Sequence, residues 1–269
     1  MNSRIPLMLW LALALVFLSG CVATPGSGSL SAAKNGEWVT DSDEPELRKR
    51  ARIRTELAAG YFEQDKVTIA LDEVKQALVT DPSYAPAYNL RGMAYMRLGE
   101  MGLAKESFQR AVSLSPRDAD AAHNLGWLNC QLKDYAEANV QFQRALMVPG
   151  YSLASKTHLA QGVCLARAGD IHAAEQALTK AFELDPANPL VGFNLALVLF
   201  GQGDLSRAQF HLDRLNGSIH ANAESLWLGI RVENRMGNHA GVRRLSDQLR
   251  LKFPKSSERQ KLDRGAFDD

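Results

Sequence analysis

Excess charge, catalytic motifs and a cysteine framework are all missing from this sequence, and each absence excludes a class. Lys and Arg number 31 against 30 Asp and Glu, leaving a formal charge of +1. No long-range field then favours nucleic acid, and no nucleic-acid partner is expected. The three cysteines, Cys21, Cys130 and Cys164, form no C-x-x-C pair and no disulfide scaffold. Cys130 and Cys164 read as small buried apolar residues. An oxidising compartment would leave a disulfide between them open. There is no H-E-x-x-H, no Walker loop and no nucleophile elbow. "GEMGLAK" carries glycines ahead of a lysine but reads as a turn between helices. The six histidines, at 123, 158, 172, 211, 220 and 239, lack metal-ligand spacing and read as surface or groove residues. No enzyme, cofactor or metal is therefore expected. Nor is there an apolar run of the ~20 residues that a spanning helix needs.

The longest apolar run is Ile5 to Leu18, interrupted at Pro6 and preceded by Arg4. Its length suits the core of a signal peptide. It closes on Leu18-Ser19-Gly20-Cys21, which resembles a bacterial lipobox. The resemblance implies cleavage before Cys21, alkylation of the Cys21 thiol with diacylglycerol, and acylation of the new amino terminus. A thiolate is the nucleophile that reaction requires, and two or more acyl chains anchor firmly at about 0.8 kcal/mol per buried methylene. Val22 stands where inner-membrane lipoproteins usually carry Asp, so the family rule implies the outer membrane. "ATPGSGSLSAAKNGEW" then reads as a flexible tether with an end-to-end distance of about 25 Å. Trp38 within it suits either the lipid interface or the first helix.

Beyond the tether the chain repeats, with a period of 34 residues. Alanine recurs at Ala70, Ala104, Ala138, Ala174 and Ala208. A second small or apolar place holds Ala77, Ala111, Ala145, Ala181, Leu215 and Leu249, and a terminating proline falls at Pro82, Pro116, Pro186 and Pro254. A two-residue insertion lies around Ser152 to Ala154, after Pro149 and Gly150. The pattern resembles the tetratricopeptide repeat (TPR) over about residues 51–256. Each unit would be a helix hairpin, apolar at helical spacing on both helices. Gly92, Gly126 and Gly162 let the helices approach, with Ala104 and Ala111 opposite. Phe108 and Phe142 are expected to fill gaps between units. Glycines at 99, 169, 203 and 237 turn the chain between helices in the left-handed conformation. The first unit has Asp65 at that place, and the last has Val242 and Ser246 where the pattern expects alanine and a large apolar residue. Terminal units are atypical because one face meets water. The expected fold is thus all-α, a right-handed superhelix of six TPR hairpins. The expected boundaries are a signal peptide at 1–20, lipidated cysteine and tether at 21–45, the superhelix at 46–256 and a frayed or capping tail at 257–269.

The TPR resemblance implies that the first helix of each unit lines the concave groove at its second, fifth, ninth and twelfth places. The candidate partner-binding residues are Thr55, Ala59, Phe62, Asn89, Met93, Met96, His123, Trp127, Leu159, Val163, Phe193 and Leu197. Cys130, Ala166, Leu190, Phe200, Trp227 and Arg231 fall on the same places. Met93, Met96 and Trp127 make an adaptable apolar strip. Asn124 and Lys156 alone do not complete the Lys and Asn clamp by which some TPR grooves hold a terminal carboxylate. The partner expected is an apolar segment, helical or extended. The stretch from Asp41 to Arg54 reads as an acidic helix start followed by a solvated basic face, with lipid headgroups as the alternative partner.

Lipobox, tether and six units together resemble the type IV pilus biogenesis/stability lipoproteins, the TPR pilotins. That resemblance implies a protein on the periplasmic face of the outer membrane that binds the secretin subunit and promotes its localisation and multimerisation. Other scaffolds of this build serve outer-membrane β-barrel assembly or peptidoglycan synthesis. A wall hydrolase would need a further domain.

Overall fold

The structure, a computed structural model, describes residues 44–267. The signal peptide, Cys21 and the tether predicted from the sequence lie outside the described residues. Thirteen helices and no strand are found among the described residues. They pair in order as hairpins: α1 (Glu46–Glu63) with α2 (Val67–Thr80), and α3 (Ala85–Arg97) with α4 (Met101–Leu114). Then come α5 (Ala119–Gln131) with α6 (Tyr135–Leu146), and α7 (Ala154–Ala168) with α8 (Ile171–Leu184). The last two are α9 (Pro189–Gln202) with α10 (Leu205–Asn216), and α11 (Ala223–Arg235) with α12 (His239–Lys252). A short α13 (Ser257–Asp263) comes last. Each first helix also packs on the first helix of the next unit, so the chain is a superhelix of six TPR hairpins.

The hairpin turns follow from backbone sterics. Gly99, Gly169, Gly203 and Gly237 take φ between +71° and +86°, a region costly for a residue with a Cβ. Asp65 and Lys133 hold the same place at φ +59° and +63°, at a cost of about 1 kcal/mol each. Many of the helix starts are capped by Asp or Asn side chains. Asp118, Asp170 and Asp204 each accept from a backbone N–H three residues on. Asn222 forms a reciprocal box with Ser225. Such caps contribute about 1 kcal/mol apiece.

Close packing sets the helix spacing within each hairpin. A Cβ at Gly92 would fall 2.5 Å from the Phe108 ring, and one at Gly162 would fall 2.5 Å from Leu178. Phe108 and Phe142 therefore seat on Gly92 and Gly126 of their own hairpins, and are fully buried there. The sequence expectation placed them between units. The repeat register explains the correction: glycine at the eighth place and a bulky residue sixteen later face each other across a single turn.

The two cysteines are also more than small apolar filler. Cys130 on α5 and Cys164 on α7 are buried and joined by a disulfide, with Cα atoms 5.7 Å apart. It ties the third unit to the fourth across the inserted residues. The insertion itself is held by Tyr151, whose hydroxyl lies 3.0 Å from Thr157 Oγ1 and 3.3 Å from Asp120 Oδ1.

At the first unit the basic face of α1 is paired. Arg48 meets Asp81, Arg50 meets Glu46, Arg52 meets Glu44 and Glu56, and Arg54 meets Glu73. At the far end α13 docks on α11 and α12. It buries Leu262 with Leu226, Trp227, Ile230, Leu245 and Leu249. The polar tail predicted as frayed or capping is therefore a cap, occupying the place of a seventh first helix. Among the described residues no helix is long and apolar enough to cross a membrane.

Candidate functional site

The ninth place of successive first helices carries Ala59, Met93, Trp127, Val163, Leu197 and Arg231. It is apolar through five units and basic in the last. Of the twelve groove candidates, Ala59, Phe62, Asn89, Met93, Met96, Trp127, Leu159, Val163 and Phe193 are half-buried, and Leu197 is 45% exposed. These can meet a partner without unfolding.

Thr55 and His123 cannot, which corrects the sequence expectation. Thr55 is buried and its hydroxyl donates to Ala51 O on its own helix at 2.8 Å. His123 is 6% exposed, with Nδ1 2.8 Å from Thr157 Oγ1. Burial, aided by the charge of Lys156, pushes the His123 pKa down to about 4, so the ring is neutral at pH 7. His211 is buried as well, and the histidines are thus not uniformly surface or groove groups. Cys130, Phe200 and Trp227, on the same groove places, are also covered. Asn89 and Asn124 do not wait for a carboxylate; the Asn124 amide donates to Asn89 Oδ1 at 3.0 Å.

Sequence reasoning missed a set of arginines. Arg97, Arg167 and Arg235 occupy the last turn of α3, α7 and α11, the first helices of even-numbered units. Each guanidinium lies over an aromatic ring of the preceding unit. Arg97 is 5.1 Å from the Phe62 centroid, Arg167 is 5.5 Å from Trp127, and Arg235 is 4.9 Å from Phe200. These are cation–π distances, worth about 0.5–1 kcal/mol at exposed sites. Arginine at the thirteenth place of every second unit was the visible signal. The groove is therefore an apolar strip edged by fixed cations.

A cleft lies elsewhere. About 730 Å³ opens among α6, α7, α8 and α10, lined by Asn139, His158, Gln161, His172, Glu175 and Arg207 among others. Glu175 there is held below the usual carboxylate range by Arg207 and Gln202. No trio of His, Cys, Asp or Glu among the described residues is placed to hold a metal.

Comparison with known proteins agrees with this architecture. Three tetratricopeptide repeat models match, over residues 85–118, 102–151 and 165–228. The type IV pilus assembly protein PilF of Pseudomonas aeruginosa is 24% identical over 92% of this chain and 94% of its own. The crystal structure of PilW, a widely conserved type IV pilus biogenesis factor, superposes with a TM-score of 0.73. It is 29% identical and covers 79% of this chain and 97% of that one. A Pseudomonas aeruginosa PilF structure gives 0.74 at 23% identity, covering 82% of this chain and all of that one, a likeness of fold. Fold, repeats and these matches define a TPR protein. Within that class the chain is similar over most of its length to type IV pilus biogenesis TPR proteins.

Proposed function

We propose that this chain is a lipid-anchored, non-catalytic scaffold of the outer membrane's periplasmic face. It binds the secretin subunit of the type IV pilus and promotes secretin localisation and multimerisation. The observation that carries the reading is the match, from end to end of the repeats, to two type IV pilus proteins. The half-exposed strip from Met93 through Trp127 to Leu197 supports it. In this reading Cys21 supplies the address and the repeats supply a rigid surface. Gathering subunits at one membrane raises their effective concentration, which favours assembly without chemistry.

Two substitutions test it. Cys21→Ser is expected to abolish acylation and to leave the secretin monomeric or misplaced, read by membrane fractionation and native electrophoresis. Trp127→Glu is expected to weaken secretin capture about tenfold or more while circular dichroism stays unchanged, because a charge would be forced onto an apolar contact. Normal multimers in the first variant together with normal capture by the second would reject the proposal.

A further inference from the structure

The hairpins stack in register, so the turns within units lie along one edge of the stack and the loops between units along the other. The two edges differ. Charge marks the turn edge, where Asp65, Glu100, Asp134, Asp170 and Asp204 stand with Lys66 and Lys133. The loop edge carries apolar tips. The four most exposed large apolar side chains among the described residues are Ile219 at 95%, Leu251 at 82%, and Val79 and Met147 at 77% each. All four lie at or just past the end of a second helix, α2, α6, α10 or α12. No large apolar side chain at a hairpin turn is more than 45% exposed.

The loops adjoin one another. Pro116 and Met147 line one cleft, Leu153 and Leu184 the next, and Pro186 and Ile219 a third. Asp, Glu, Lys and Arg make up 23% of the chain, yet residues 147–155 and 215–223 contain none. The charged side chains that line those three clefts are Arg117, Arg144, Lys156 and Arg214 against Asp185 alone. Acids beside them are already engaged. Asp118 caps α5, Asp120 accepts from Tyr151, and Glu183 pairs with Lys180. The chain from Cys21 joins the superhelix at Glu44, and Glu44 leads into α1 on this same edge.

We infer that the loop edge of units three to six rests on a lipid surface, with Met147 and Ile219 dipping among the acyl chains and the four basic side chains at anionic headgroups. This deepens the proposed function and rests on it: the acyl anchor holds the protein at the membrane, and the edge sets how it lies there. The tips stand on separate loops. A fluid interface takes scattered apolar side chains at any spacing, whereas a folded partner needs a continuous patch or matched pockets. Basic side chains beside an anionic surface add to the attraction. The first helices then stand with their starts at the membrane, and the concave strip opens along the surface, toward other proteins of the same membrane.

The test reconstitutes the acylated full chain in vesicles of phosphatidylethanolamine and phosphatidylglycerol. An environment-sensitive dye is placed on Ile219→Cys at the loop edge or on Gln202→Cys at the turn edge of the same unit. Cys130 and Cys164 are buried in their disulfide and do not compete for it. The dye at 219 is expected to shift to the blue and to be quenched by nitroxide-labelled lipid, and the dye at 202 to do neither. Unacylated full chain carrying Cys21→Ser is expected to float with the same vesicles. Met147→Asp with Ile219→Asp is expected to lower that partition about tenfold, with circular dichroism unchanged. Replacing phosphatidylglycerol by phosphatidylcholine, or adding salt, is expected to weaken it. Equal dye responses at the two edges, or unchanged partition of the double variant, overturns the inference. So does a dye at 219 that responds only once the secretin is added, since a protein would then cover the edge. The anchor is read separately. Wild-type chain recovered without acyl groups rejects the proposed function, whereas an acylated chain with silent dyes rejects the resting edge alone.

Discussion

The joint between the third and fourth units and the end of the sixth unit solve one problem differently. At the middle joint a two-residue insertion breaks the period, and directional bonds restore the contact. They are the Cys130–Cys164 disulfide and the chain His123–Thr157–Tyr151–Asp120. At the distal end the period is intact, and apolar packing makes most of the contact, with single bonds such as Asn216 Nδ2 to Ser225 O and Gln209 Nε2 to Glu233 Oε1 beside it. Leu195, Leu199, Leu212, Leu228 and Val232 are all buried together, and Leu226, Trp227, Ile230, Leu245 and Leu249 continue the core. In a stack whose units touch only their neighbours, each interface contributes nearly independently. The contrast teaches that a register fault in a solenoid is tolerable where covalent and hydrogen bonds replace the missing fit.

Breaking the disulfide should give the largest effect. It closes 34 residues, and the chain-entropy model assigns such a loop about 4 kcal/mol. Cys130→Ser with Cys164→Ser is expected to lose about 3–4 kcal/mol in denaturant unfolding. The loss should appear as faster hydrogen exchange in α5 and α7, with α11 and α12 unchanged. Uniform loosening of the whole stack would mean that the two regions are one cooperative unit and that the comparison fails.

Acid should come next and discriminate in the same direction. Burial holds His123 neutral down to about pH 4 in the fold, whereas an unfolded histidine titrates near 6.5. The contribution is therefore undiminished above pH 6.5. As pH falls from 6.5 to 4 the unfolded chain takes up a proton that the folded chain refuses, and stability drops by up to about 3 kcal/mol. Burial depresses His158 and His211 as well, which adds to the slope in the same sense. His123→Gln is expected to flatten the pH dependence of unfolding between 4 and 6.5. An unchanged slope would remove His123 as its source.

The two regions also differed in how plainly they could be read from residues. Turn glycines, the alanine rows and the unit boundaries were legible because backbone sterics and close approach admit few substitutes. Gly99 at φ +81° and Gly92 against Phe108 are such positions. The cap was half legible: its polarity hid Leu262 and the returning Phe267, which only a folded neighbour turns into core. Groove residues were legible as places but not as surfaces. His123 and Thr55 occupy groove places yet are consumed by Thr157 and Ala51, because burial depends on how far one unit leans on the next. The disulfide was illegible for the same reason: two cysteines 34 residues apart say nothing of distance until the period superposes their helices. Arg167 and Trp127 belong to different units, so no local pattern announced their stack.

The smallest expected effect probes the distal end alone. Phe267 stacks on Trp227 and offers its carbonyl to Arg231, but closes no loop and fills no cavity in the main core. An aromatic pair contributes about 0.5–1.5 kcal/mol beyond burial. Phe267→Ala should therefore cost about 1–2 kcal/mol, confined to α11, α12 and α13. Trp227 is 5% exposed with the tail in place, so loss of the Phe267 ring should red-shift tryptophan emission and raise quenching by iodide, while α5 and α7 keep their exchange rates. Unchanged emission and quenching would mean that the Phe267 ring is not what covers Trp227.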